Sequence, residues 1–317
     1  MDKAVTDAVE LLKRLIATPS LSRDEARTAE LIAGYLAEHG AVPERLANNV
    51  WVRSEGFDPA RPTLLLNSHH DTVRPAASYT RDPFMPTVVS DRFYVAGSND
   101  AGASAVCLIQ TFLTFRTRKL PFNLVLAVSA EEECMGEHGM RALLPALGRI
   151  DMALVGEPTG MQAAAGERGL VVLDCTAHGK AGHAAREEGD NAIYKAMQDI
   201  EWFRTYRFPK VSDLFGAVKM SVTIISAGTQ HNVVPAECRF TVDIRVTDRY
   251  TNEEVLEIIK EHVSCEVKAR STRLRPSSIR PDHPIVQAGL ALGRTTYGSP
   301  TTSDQALLDI PSLKLGV

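Results

Sequence analysis

Residues 63–71, with the sequence TLLLNSHHD, decide the fold, because an apolar run ends there in a cluster of ionisable side chains. The first five of these residues have the length and composition of a strand that is buried on both faces. Similar apolar runs at residues 122–129 and 152–155 alternate with helical patterns, such as the one at residues 103–115. This alternation is typical of a mostly parallel sheet covered by helices on both sides, so the sequence predicts an α/β fold.

The pattern changes after about residue 169. Residues 170–177 and 237–246 alternate apolar and polar side chains, as antiparallel strands with one exposed face do. Further along, a helix is expected at residues 284–297 and a strand at residues 313–315, which return the chain to the main sheet. We therefore expect an inserted α+β domain at residues 169–275 and a catalytic domain formed by residues 1–168 and 276–317.

Composition excludes several classes of protein. The chain has 317 residues, of which 44% are hydrophobic and 23% charged, and its net charge is −4. These values are typical of a globular protein of about two domains and give no reason to expect a nucleic-acid or membrane partner. The five scattered cysteines contain no CxxC pair, which argues against a disulfide framework. We expect a cytoplasmic protein that acts on a small molecule.

Ionisable residues follow each predicted strand of the main sheet. His69 and Asp71 follow the first, and Asp100, residues 131–133 and Glu157 follow later ones. Since ligands of open α/β sheets bind beyond the carboxyl ends of the strands, we expect these side chains at one edge. A single acidic residue in such a position is more often a solvated loop residue, but the repetition of acidic residues at successive strand ends favours a binding site. Clustered carboxylates are costly to bury unless a cation neutralises them.

The residue types indicate which cation this is. Imidazole together with carboxylates favours zinc, cobalt or manganese, and the absence of clustered thiols argues against a closed structural zinc site. A carboxylate-rich set suits a pair of metal ions. Asp71 leaves an extended chain on the same side as His69, so its carboxylate can hold the imidazole in the ligating tautomer.

Seven segments, in order, carry a resemblance to a known family. The segments are SHHDTV (68–73), SNDAGAS (98–104), SAEEE (129–133), VGEPT (155–159), GKAGHAA (179–185), GTQHNVVP (228–235) and DIR (243–245). With them the chain resembles the di-zinc amidohydrolases, which include acetylornithine deacetylase, succinyl-diaminopimelate desuccinylase, carboxypeptidase G and the aminoacylases. It is most similar to the acetylornithine or succinylornithine deacylase branch.

The resemblance implies a ligand set for two zinc ions, with cobalt as a possible substitute. His69 and Glu157 would bind one ion, Asp100 would bridge both, and Glu133 would bind the other. It also implies a cis peptide bond after Asp100.

The resemblance also implies catalytic and substrate-binding roles. Glu132 would be the general base and Asp71 would orient His69. His183 would reach across the interface of a homodimer, formed through the inserted domain, and stabilise the oxyanion in the partner's active site. Asn232 and Arg245 would contact the substrate, the fork of Arg245 matching a carboxylate.

One alternative concerns the acidic triplet. The family pattern is Asp-Glu-Glu, and here Glu131 occupies the first position. A register shifted by one residue would make Glu131 the base and Glu132 the metal ligand.

The implied reaction is hydrolysis of an N2-acyl amino acid, best N2-acetylornithine or succinylornithine, to ornithine and a carboxylate in arginine biosynthesis. N2-acetylcitrulline stays open as a substrate. In this reaction two zinc ions would lower the pKa of water, and Glu132 would take its proton and return it to the leaving amine. The alternatives are a metallo-exopeptidase of the same fold and a non-catalytic metal- or amino-acid-binding relative.

A last expectation concerns the second zinc ion. The sequence stops at Gly316-Val317, before the segment in which family members carry a further histidine ligand. Asp100 and Glu133 would then be the only protein ligands of that ion. We expect this form to bind at most one ion tightly and to be nearly inactive.

Overall fold

The structure is a computed structural model that describes residues 3–90 and 92–317. No helix in these ranges has the length and apolar character needed to cross a membrane.

The helices are α1 (Lys3–Ile16), α2 (Ala26–Glu38), α3 (Ala103–Phe115), α4 (Met140–Leu147), α5 (Ala192–Thr205), α6 (Asn252–His262) and α7 (Pro284–Ala291). The strands are β1 (Glu44–Leu46), β2 (Asn49–Arg53), β3 (Thr63–His69), β4 (Thr87–Val89), β5 (Arg92–Tyr94), β6 (Asn123–Ser129), β7 (Met152–Val155), β8 (Ala163–Glu167), β9 (Gly169–His178), β10 (Gly182–His183), β11 (Lys219–Ala227), β12 (Val233–Val234), β13 (Glu237–Val246), β14 (Glu266–Ala269), β15 (Ser277–Ser278), β16 (Thr296–Ser299) and β17 (Ser312–Lys314).

The chain forms two compact units. The first contains the chain up to Ala165 together with Ile279–Tyr297 and Ser303–Val317. The second contains Gly166–Ser278 and Gly298–Thr302. The domain boundaries expected from the sequence were 168/169 and 275/276, whereas these units divide at 165/166 and 278/279, and residues 298–302, expected in the catalytic domain, fall in the second unit.

The first unit is built around a twisted sheet with the strand order β1-β2-β6-β3-β7-β17-β8. The four central strands β6, β3, β7 and β17 are parallel, and β1, β2 and β8 are antiparallel to their neighbours. Helices α1, α2 and α3 bury their apolar side chains against one face, and α4 packs on the other. This confirms the predicted α/β fold with helices on both sides of a mostly parallel sheet.

Strand register explains where the ionisable residues lie. His69 pairs with Ser129, the last residue of β6, and Asn67 pairs with Val155, the last residue of β7. The segments that follow β3, β6 and β7 therefore all begin at the same edge of the sheet.

The second unit contains a four-stranded antiparallel sheet with the order β11-β13-β9-β14. In β9 buried and half-buried residues alternate along most of the strand, which places one face against a core shared with α5 and α6. The strands predicted at residues 170–177 and 237–246 are thus confirmed as β9 and β13. A separate two-stranded ribbon joins β10 to β12.

The helix expected over residues 284–297 was too long. It ends at Ala291, because Gly293 adopts a positive φ of 74°. The Arg294 and Gly293 N–H groups donate to the carbonyls of Gly289 and Leu290, at 3.1 and 2.9 Å. This left-handed glycine termination ends helices, and the chain continues as β16.

Candidate metal centre

His69 stands at the end of β3 with its ring almost fully buried. Its Nδ1 lies 3.0 Å from the backbone oxygen of Asp71 and 3.3 Å from Asp71 Oδ1. Since a carbonyl oxygen only accepts, Nδ1 carries a hydrogen and donates it. The other ring nitrogen, Nε2, therefore points at the acidic cluster and is the atom available to a metal ion.

Two carboxylates converge on this nitrogen. Nε2 of His69 lies 3.1 Å from Asp100 Oδ1 and 3.9 Å from Glu157 Oε1. The ligand atoms of the three residues lie within 4.8 Å of one another, and no other such trio occurs in the described part of the chain. Asp100 belongs to the irregular turn Ser98–Gly102 before α3, and its peptide bond to Ala101 is cis, as the family resemblance implied.

Glu132 reaches the same cluster from the loop after β6. Its Oε2 lies 3.8 Å from His69 Nε2, a position open to a base or to a ligand. Glu131 instead turns its carboxylate to the N–H of His138, at 3.2 Å. Glu133 lies close enough to Asp100 that the charge of Asp100, after burial, raises the pKa of Glu133.

The cluster is short of positive charge. Burial, with the nearby charges of Asp304 and Glu157, raises the pKa of Glu132 well above its usual value. Burial also raises the pKa of Glu157 to about 7, although His69 and the buried Lys314 oppose this. For His69, burial favours the neutral ring, but hydrogen bonds to Asp100 and Asp71 outweigh it and raise the pKa. Carboxylates and an imidazole that hold protons in this way fit a site for a divalent cation, because the bound cation would displace those protons.

Asp304 is the member of this cluster that sequence reasoning missed. It lies in a short 3₁₀ helix and is buried, and burial raises its pKa to about 6. Its Oδ2 accepts a hydrogen bond of 2.5 Å from Ser129 Oγ, which in turn accepts one of 3.2 Å from Asn67. Asp304 is a single acidic residue in a polar segment, so no motif or periodic spacing in the sequence predicts this contact.

Three site residues predicted from the sequence belong to the second unit. His183 lies in β10 and is exposed, and Asn232, also exposed, accepts a 2.9 Å hydrogen bond from the N–H of Ala184. The ribbon of β10 and β12 thus brings His183 and Asn232 together. Arg245 holds Asp243 with its fork, at 2.8 and 3.0 Å, so a substrate carboxylate would compete with Asp243 for it.

The charge imbalance predicts that the metal-free protein loses stability as the pH rises from 7 to 9. The pKa of His69 lies well above its usual value, so above pH 7 the folded state holds a proton that the unfolded chain has released. The raised pKa of Glu132 acts in the same direction. Stability then falls with pH, by about 1 kcal/mol per pH unit for each proton. His70, whose pKa burial lowers to about 4, has the opposite effect, but only below its unfolded value of about 6.5.

Thermal unfolding of chelator-treated protein at pH 7, 8 and 9 measures this. A melting temperature that is constant or rises over this range would contradict the prediction.

Comparison with known proteins shows which proteins the chain resembles. Residues 165–270 match the model of a peptidase dimerisation domain. Over 277 residues the chain is 26% identical to succinyl-diaminopimelate desuccinylase 2 of Ruegeria sp. (strain TM1040), an alignment that covers 81% of this chain and 69% of that protein. A dinuclear metal-binding peptidase of the M20 family from Bacillus subtilis has the same fold, with a TM-score of 0.74 and 18% identity over 100% of this chain and 90% of that one. The chain resembles the M20 peptidases in the matched segment and in its fold.

The fold of the chain also matches a tripeptidase from Staphylococcus aureus, with a TM-score of 0.76 and 19% identity over 98% of this chain and 89% of that one. These relatives are named as a desuccinylase and as peptidases. The chain's cluster of imidazole and carboxylate donors agrees with a divalent metal as cofactor.

Proposed function

We propose that this chain hydrolyses the amide bond of an N2-acyl amino acid, best N2-acetylornithine or N2-succinylornithine, and releases ornithine and a carboxylate. The observation that carries the proposal is the position of Glu132, 3.8 Å from the metal-facing nitrogen of His69. The reaction would serve arginine biosynthesis in the cytoplasm. The relative named as a desuccinylase supports an acylated amino acid as substrate.

The proposed ligands are the residues of the strand-end cluster. His69, Asp100 and Glu157 would hold one zinc or cobalt ion, and Asp100 with Glu133 would contribute to a second. When bound, such ions supply a Lewis acid that polarises a carbonyl and lowers the pKa of water.

The side chains of the protein would carry the proton. Glu132 would accept it from the attacking water and deliver it to the leaving nitrogen. Asp71 would keep His69 in its ligating tautomer through the 3.0 Å contact at Nδ1. In the second unit, Asn232 and Arg245 would bind substrate, and His183 would stabilise negative charge on the carbonyl oxygen of a substrate bound by the partner.

A second candidate is an exopeptidase. It is supported by similar folds named as a tripeptidase, as an aminopeptidase from Bacillus cereus and as a metallo-carboxypeptidase from Sulfolobus solfataricus. Both reactions cleave an amide bond with the same cluster, and they differ in the group that flanks that bond.

The experiment is an amine-release assay with added zinc or cobalt. The substrates are N2-acetylornithine, N2-succinylornithine, N2-acetylcitrulline, dipeptides and tripeptides. We expect whatever turnover this form has, although low, to show its highest kcat/KM on an acylornithine and to stop after chelation. Preference for peptides would favour the exopeptidase. Absence of turnover on every substrate, with metal bound, would favour the non-catalytic relative.

We further propose that the chain forms a homodimer through its second unit. Strand β11 is the edge of its sheet, and Ile224 and Ile225 in it are 59% and 56% exposed. On α5, which packs beside β11, Tyr194 and Met197 are 67% and 58% exposed. An open edge strand with exposed apolar side chains is typical of a surface that pairs with another chain, and the match to a peptidase dimerisation domain supports a second copy.

Replacing Ile225 by Lys is expected to weaken this dimer at least tenfold, because a charged side chain on the edge strand opposes pairing. Analytical ultracentrifugation over a concentration series measures the dissociation constant. The matched control is Val211→Lys, since Val211 is 57% exposed in the same unit but outside β11. Equal dissociation constants for both variants and the unaltered protein would exclude β11 as the interface.

A further inference from the structure

Two buried carboxylates hold three consecutive N–H groups of the acidic loop. The N–H of Glu132 donates to Asp71 Oδ1 at 3.0 Å, and that of Glu133 donates to Asp71 Oδ2 at 3.1 Å. The N–H of Glu131, just before them, donates to Glu25 Oε1 at 3.2 Å. Asp71 belongs to the metal-site motif, whereas Glu25 comes from the segment that precedes α2 and has no role in the site described above.

Glu25 is fully buried and accepts hydrogen bonds from three neutral donors. Besides Glu131, its Oε1 accepts the N–H of Arg23 at 2.5 Å, and its Oε2 accepts the side-chain amide of Asn48 at 2.9 Å. A buried carboxylate is costly unless its oxygens are satisfied. Donors from three separate segments therefore fix the carboxylate in one orientation.

A second layer holds Asn48 in turn. His70, which points away from the metal cluster, lies with Nε2 3.0 Å from the backbone oxygen of Asn48 and Nδ1 2.9 Å from Thr28 Oγ1. The carbonyl oxygen only accepts, so Nε2 donates to it. The threonine hydroxyl, which Nδ1 contacts, also lies 2.9 Å from the backbone oxygen of Glu25. This ring therefore ties the Asn48 segment to α2, on which Thr28 lies.

The loop needs such support because of its backbone. Glu131 adopts a positive φ of 54°, a conformation that residues other than glycine take only when their surroundings hold them there. This turn sets the direction of the two residues after it, Glu132 and Glu133. Glu25 is the side chain that receives the N–H of this turn.

We propose that Glu25 is a positioning residue, which holds the loop so that Glu132 meets the metal cluster and Glu133 faces Asp100. The proposal rests on the roles given to Glu132 and Glu133 in the proposed function. It assigns Glu25 no contact with substrate.

The test compares two substitutions of similar size. Glu25→Met removes all acceptors, whereas Glu25→Gln keeps an oxygen for the N–H groups of Arg23 and Glu131. We expect Glu25→Met to lower kcat by about 10²-fold with little change in KM. We expect its zinc affinity, measured without substrate by competition with a chromophoric chelator, to fall at least tenfold. Glu25→Gln should retain both values within about threefold.

A control variant separates positioning from general loss of stability. Leu36→Ala creates a cavity in α2, the helix that follows Glu25, at a fully buried position in the core cluster rather than in the acidic loop. If Glu25→Met does not fold, Glu25→Asp replaces it in the test, because the shorter side chain keeps the charge but withdraws it from the loop. An intermediate loss of kcat and of zinc affinity is then expected.

Two results would overturn the proposal. One is a zinc affinity of Glu25→Met equal to that of Leu36→Ala, and the other is an equal loss in Glu25→Gln and Glu25→Met. The zinc measurement needs no substrate, so it also separates this proposal from the proposed reaction. If zinc affinity changes as expected while the unaltered protein cleaves none of the substrates, the positioning role stands and the reaction is wrong.

Discussion

Replacing Glu132 by Gln is expected to lower kcat by about 10²–10⁴-fold while the protein keeps its metal, because an amide cannot accept a proton from water. Glu132 is the acid that lies 3.8 Å from His69 Nε2 yet is not one of the three residues whose ligand atoms all lie within 4.8 Å of one another. Steady-state kinetics on the best substrate, combined with metal analysis of the same sample, measures both quantities.

The matched control for this variant is Glu137→Gln. Glu137 lies a few residues further along the chain with its side chain 78% exposed, so the same substitution there should leave kcat unchanged. If Glu132→Gln instead loses its metal but keeps its turnover per bound ion, then Glu132 is a ligand. The base would then be Glu131, as the register shifted by one residue requires.

Zinc affinity is expected to fall steeply as the pH is lowered from 8 to 5, by about tenfold per pH unit for each proton that the ion displaces. The pKa of Glu157 is about 7 and that of His69 is well above its usual value. Below these values both groups hold protons in the metal-free protein, and an ion must expel them to bind. Lower pH therefore favours the metal-free form.

Calorimetric titration in two buffers of different ionisation enthalpy counts the released protons, and chelator competition at pH 5, 6, 7 and 8 gives the affinity. His178→Ala is the control, because this exposed histidine lies in the second unit, paired with Glu266. Its pH profile should match that of the unaltered protein. A constant affinity between pH 6 and 8, without proton release, would contradict the charge distribution described for the cluster.

The cluster itself could be predicted because its signal is local. His69 and Glu157 follow β3 and β7, and parallel strands bring such positions to one edge whatever the details of packing. The expectation that Asp100 follows a strand of the main sheet was wrong, because β5 pairs with β4 in a separate two-stranded sheet, and Asp100 belongs to the turn before α3. Glu25 and Asp304 follow no such rule. Each lies in an ordinary polar segment, and each acts through one contact with the loop that begins at Ser129.

The fold class and the identity of the chemical groups were thus contained in the sequence, because hydrophobic periodicity and strand-end position are properties of neighbouring residues. Only the tertiary structure decided which distant side chains hold these chemical groups in place. The hydrogen bond between Ser129 and Asp304 joins residues 175 positions apart, and it exists because the segment that carries Asp304 runs on into β17, which pairs with β7. No local pattern encodes such a register over that distance, since it follows from the packing of the whole sheet. The same reason hid Glu25, whose carboxylate meets the acidic loop only after α2 has packed on the sheet.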